Sequence, residues 1–150
     1  MATGLGVARG LPLLCDVTCV SPVTGAGEAR GGSLTVDGGA VEAAARHCHR
    51  VDYPEVATSN AARFFCLRVE VFGRWGREAL HLVRGLARER AEGLPPRVRL
   101  ATQTRLLRRW WGLLGLATQR VVTRAVLRGA GADLVDGLVE RVPGVAELVA

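Results

Sequence analysis

Lysine and isoleucine are absent from this chain of 150 residues, so all 20 of its basic residues are arginine. Together with abundant Ala, Gly, Val and Leu, that bias is the mark of translation from GC-rich DNA. It weakens any inference drawn from a high isoelectric point alone. Also missing is an apolar run of the roughly 18 residues or more that a membrane-spanning helix needs. The opening MATGLGVARGLPLLCDV holds one Arg and an apolar stretch that Asp16 cuts short, too weak for a secretory signal. No G-x-S-x-G elbow, phosphate loop, C-x-x-C pair or H-x-x-x-H pair occurs. These absences argue against a serine hydrolase of the elbow type and a P-loop NTPase. They lead us to expect an intracellular protein, nuclear or cytoplasmic, whose four cysteines are reduced thiols.

Zinc is weighed because Cys15, Cys19, His47, Cys48, His49 and Cys66 lie in the patterned part of the chain. If Leu13 to Val20 is a strand, Cys15 and Cys19 stand roughly 13 Å apart at about 3.3 Å per residue. Two ligands of one zinc, each about 2.3 Å from the metal, cannot do that. The cysteines are therefore expected to fill the core.

What is present is organised around Arg63 to Val83. Phe64 to Phe72 is rich in aromatic and branched side chains and free of Gly and Pro, which suits a strand. The period of two puts Phe65, Leu67, Val69 and Val71 on one face, with Cys66, Arg68 and Glu70 on the other. Gly73 and Gly76 mark a turn, and Leu80, Val83, Leu86 and Ala87 then recur at helical spacing to about Gly93. Glu70, near the end of its strand, is either a site residue or the ion-pair partner of Arg68.

Before this stretch, residues 1–10 read as a disordered leader, and Leu11 to Val20 as a second strand. Asp16 is the lone acid in that apolar run, costly to bury unless paired, protonated or metal-bound. Ser21 to Gly39 is a long Gly-rich loop, expected to be mobile in part, whose Asp37 is placed to cap the next helix. That helix runs from Gly39 to about Asp52 and ends at Tyr53-Pro54. After Leu94-Pro95-Pro96 a long helix is predicted from Arg97 to Arg128, with Leu107, Trp111, Leu114, Val121 and Ala125 along its apolar side. A short helix is expected over residues 133–149, interrupted at Pro143. The domain reading is an α/β core over residues 11–93 and a helical extension, 94–150, packed on it. The order strand, helix, strand predicts two parallel strands joined by a crossover.

Charge is unevenly spread. Between Gly73 and Arg128 there are 13 Arg against 3 Glu, a local net of +10. Arg105, Arg108, Arg109, Arg120 and Arg124, with Trp110 or Trp111, are the candidates for contact with DNA or RNA phosphates and bases. A solvated Arg face on GC-biased helices explains the same pattern without a ligand.

Leu14-Cys15-Asp16-Val17-Thr18 followed by Ser21-Pro22, then Tyr53-Pro54-Glu55, the EVFGRW of Glu70 to Trp75, and the RRWWGLL of Arg108 to Leu114 stand in an order that carries a resemblance. The set resembles the C-terminal restriction-like endonuclease region of reverse-transcriptase-containing retrotransposon proteins, over about residues 11 to 128. The resemblance implies a small restriction-endonuclease-like strand–helix–strand core, and a nicking site in which acidic residues hold Mg²⁺ and a lysine assists. Asp16 matches the metal-binding acid of the family's DVT strand. The family's lysine position falls on His49, which is no permanent cation near neutral pH. Glu70 is a third remnant of that catalytic set. The family's preceding strand, with an Asp of its own, has no counterpart here, because the chain starts at Met1. The expectation is a fragment or decayed copy that no longer cleaves DNA, with no cofactor, and Mg²⁺ only if the site were intact. Two other readings fit the same residues: a small basic nucleic-acid-binding module, and an open reading frame without a cellular role.

Overall fold

A computed structural model of the protein describes residues 6–30 and 32–129. The expected helix over residues 133–149 lies outside the described residues. The architecture is mixed α/β with a helical majority. Its elements run β1 (Leu13–Val20), α1 (Gly39–His47), α2 (Pro54–Thr58), β2 (Arg63–Glu70), α3 (Arg77–Glu92) and α4 (Pro96–Gly129). The chain divides into two compact units, Met1–Gln119 and Arg120–Ala150; of the second, the last turns of α4 are described.

β1 and β2 pair in parallel as predicted, with Leu13 opposite Arg63 and Asp16 opposite Cys66. Parallel neighbours need a crossover, and α1 with its continuation supplies it. α1 begins after Gly38, whose φ of +75° suits glycine, and no side chain caps it. Asp37 is not the cap that its position predicts; it pairs with Arg74 instead. Past His47 the helix widens into a π-helical turn over Cys48–Asp52, closed by Tyr53 N–H donating to the Cys48 carbonyl at 3.0 Å. Pro54, with no N–H to lose, then opens α2 rather than a loop.

α1 covers the sheet face that carries Cys66, where Ala45 and Cys48 pack against it and Phe64 flanks them. On the opposite face His81 of α3 stacks on Phe65, ring centroids 6.3 Å apart. Cys15 and Val17 on β1 remain exposed. The outer edge of β2 is closed by its own continuation. Gly76 N–H donates to the Arg68 carbonyl, and Glu70 N–H to that of Arg74, around Gly73 at φ +91°. A buried sheet edge needs such partners for its peptide groups.

Residues 6–10, part of the leader that the sequence reads as disordered, include a short 3-10 turn over Gly6–Ala8. Gly6 and Val7 donate their N–H groups to the Glu89 carboxylate at 2.6 and 3.2 Å, and Ala8 is fully buried. The Gly-rich loop is also shaped, as a tight antiparallel hairpin bridging Val23 and Ala29. By contrast α4 packs lightly. Trp111, half-buried, meets Trp75 with ring centroids 5.9 Å apart, and Thr118 alone of its described residues is buried. Val121 and Ala125, assigned to the apolar stripe, are exposed.

Candidate functional site

Asp16 sits mid-strand on the α1-covered face, and the register sets Arg68 of β2 one step further along the same face. Arg68 Nη1 lies 2.8 Å from Asp16 Oδ2. The contact lacks the angle of a hydrogen bond, so it is a charge pair with Nη1 otherwise unpartnered. The Arg68 side chain is 4% exposed and that of Asp16 30%. The apolar run thus tolerates its acid by pairing it, the first of the three ways the sequence left open. Arg68 is taken by Asp16, not by Glu70, which corrects the ion pair weighed from the sequence. Glu70 is buried at the strand end, with Arg74 Nε 3.8 Å away.

The pair lies at one wall of a cavity of about 750 Å³ between β1 and α1, lined also by Arg30, His47, Asp52 and Tyr53. His47 faces Asp52 at 3.5 Å. Hard divalent cations favour several oxygen ligands and reluctantly share a carboxylate with a guanidinium. Asp16 offers one carboxylate, already paired with Arg68, so this wall fits Mg²⁺ poorly.

His49 is not at this wall. It projects from the π-helical turn towards α3, where its Nε2 lies 2.8 Å from Glu78 Oε1. Phe64 meets its ring edge-on at 5.4 Å. The other Glu78 oxygen accepts the backbone N–H of Cys66 at 2.9 Å. These groups border a second cavity of about 640 Å³, lined by Glu42, Arg77 and His81 among others. The three residues of the expected catalytic set are therefore not assembled: Asp16 and His49 line different cavities, and Glu70 lines neither.

Cysteine chemistry also departs from expectation. Cys48 and Cys66 are the core fillers foreseen, 0% and 1% exposed, but they are joined in a disulfide with Cα atoms 6.5 Å apart, not held as reduced thiols. Cys48 Sγ lies 3.7 Å from Asp16 Oδ2. Cys15 and Cys19 are free, and partial burial pushes both thiols above their ordinary pKa; a backbone hydrogen bond at Val20 lowers that of Cys19 by less. His49, Cys66 and Glu78 also bring one potential ligand atom each to within 4.8 Å of one another. Sequence reasoning did not single out Glu78 as a site residue; its signal was an acid in the first turn of the helix that follows the β2 turn.

Arg105, Arg108 and Arg109 are exposed on α4 beside the half-buried Trp110 and Trp111, and Arg120 and Arg124 are exposed further along it. Among the described residues none of the five has a carboxylate within ion-pair distance, whereas Arg68 and Arg77 each have one and Arg74 has two. No described helix is long and apolar enough to cross a membrane. The chain matches no protein-family model, no curated protein and no solved structure.

Proposed function

We propose that this protein is a nucleic-acid-binding domain descended from a retrotransposon restriction-like endonuclease region, and that it no longer cleaves DNA. The observation that carries the reading is the cluster Arg105, Arg108 and Arg109, exposed beside two tryptophans and, among the described residues, without a carboxylate partner. Exposed cations can neutralise phosphates, and each phosphate so neutralised adds roughly 0.9 to the salt slope on duplex DNA. A tryptophan at the same patch offers a stacking face for an unpaired base. Loss of cleavage is supported by the Asp16–Arg68 pair at 2.8 Å, which occupies the carboxylate that the family resemblance assigns to the metal. The parallel β1–β2 pair with its helical crossover is compatible with a restriction-endonuclease-like core.

Titration of a labelled duplex at several salt concentrations tests the reading. Binding is expected to be weak, independent of sequence, and to fade steeply from low to physiological salt. The triple variant R105Q/R108Q/R109Q should lower the salt slope by about 2–3 without lowering the melting temperature. Salt-independent binding, or an unchanged slope, would overturn it. In parallel, supercoiled plasmid with Mg²⁺ or Mn²⁺ should stay intact. Nicking that disappears in D16A would refute the loss of cleavage.

A further inference from the structure

We propose that His49, Cys66 and Glu78 form a zinc site that opens only when the Cys48–Cys66 disulfide is reduced. The three donors come from three elements, namely the π-helical turn, β2 and α3, and their ligand atoms already lie within 4.8 Å of one another. At a tetrahedral zinc, with ligands about 2.0–2.3 Å from the metal, neighbouring donors stand roughly 3.3–3.6 Å apart. His49 Nε2 and Glu78 Oε1, at 2.8 Å, need to separate slightly, and the sulfur, within 4.8 Å of both, needs to come into the same range. Imidazole, thiolate and carboxylate form a borderline-soft set that suits Zn²⁺ better than Mg²⁺.

The surroundings also fit. The Cys66 backbone N–H holds the second Glu78 oxygen at 2.9 Å, and Phe64 fixes the His49 ring edge-on. Supporting contacts of this kind orient ligands before the metal arrives. The adjoining cavity of about 640 Å³, lined by both His49 and Glu78, gives the ion a way in.

The disulfide is the gate, because a sulfur bonded to sulfur has no thiolate to offer. A dithiol reductant delivers two electrons and two protons to the Cys48–Cys66 bond and is itself oxidised to a disulfide. Two thiols result. Zn²⁺ then displaces the Cys66 thiol proton to solvent, the imidazole proton that His49 Nε2 shares with Glu78 moves through solvent to Nδ1, and the ion takes Sγ, the freed Nε2 and a Glu78 oxygen, with water in the fourth position.

The test uses the full chain in a C15S/C19S background, which removes the two other thiols, with Co²⁺ as the spectroscopic probe and Zn²⁺ as competitor. The reduced protein should bind one Co²⁺ with a thiolate charge-transfer band that Zn²⁺ abolishes. The oxidised protein should bind at least about 100-fold more weakly and show no such band. H49A and E78Q should each weaken binding by about 10-fold or more. C48S keeps Cys66 but cannot form the disulfide, so it should bind with or without reductant, and it guards against a C66S variant that fails to fold. No thiolate band in the reduced protein, equal binding in both redox states, or no effect of H49A and E78Q would each overturn the proposal.

Discussion

Asp16 and Arg68 are partners of unequal exposure, and that inequality decides what each removal costs. Arg68 is almost wholly enclosed, at 4%, while Asp16 keeps 30% of its side chain in contact with water. Deleting Asp16 strands a guanidinium away from solvent; deleting Arg68 leaves a carboxylate that water reaches. D16A should therefore destabilise by about 2–4 kcal/mol, towards the range for breaking a buried pair. R68M, which refills the volume with apolar atoms, should cost less, about 1–2 kcal/mol. The double variant should cost less than the sum of the two. Urea denaturation of the three variants checks this ordering, and R68M costing more than D16A would mean that Asp16 is held by something other than Arg68.

At the scale of elements, two glycines in helices have opposite roles. A Cβ on Gly39, at the start of α1, would fall inside contact distance of the Gly32 backbone carbonyl, which has no flexible end to yield. One on Gly112, in α4, would meet nothing within 4 Å. G39A should destabilise by about 2 kcal/mol or more, since backbone would have to move. G112A should stabilise by about 0.5–1 kcal/mol, because alanine is the better helix former and the position is exposed. Thermal melts of both variants test this, and equal shifts would show that the loop does not press on α1. The same comparison explains why element order was legible from sequence. β1, β2, α3 and α4 follow local periodicity, as does the break at Tyr53-Pro54. α2 was not legible, because five residues starting at a proline carry too little pattern, and a proline reads as a stop although it also suits a first turn.

For the molecule as a whole, the Cys48–Cys66 disulfide ties the π-helical end of the crossover to β2 across 18 residues. A loop of that length closed by a disulfide is expected to add about 3 kcal/mol through loss of freedom in the unfolded chain. Melting the protein with and without a dithiol should show that loss, and added Zn²⁺ should restore part of it in the reduced protein only. A melting temperature indifferent to reductant would show that the bond adds no net stability. α4 should respond least, since it is lightly packed, with Thr118 its one buried residue among those described and Trp111 half-buried on Trp75.

By itself the sequence determined the α/β class, the parallel strands, the long arginine-rich helix and the faces on which Asp16, Cys66 and Arg68 lie. The elements and their faces follow from periodicity within a few turns or one strand, and the parallel pairing follows from the order strand, helix, strand. Only the tertiary structure decided which partners meet. The β1–β2 register carries Asp16 to Arg68 rather than leaving Arg68 to Glu70, two residues away. The π-helical turn sends Cys48 to Cys66 and His49 to Glu78, separating His49 from Asp16 although one crossover links their elements. Ion pairs, disulfides and ligand sets are contacts across the chain, and a strand shifted by one residue would turn each of those side chains to the other face.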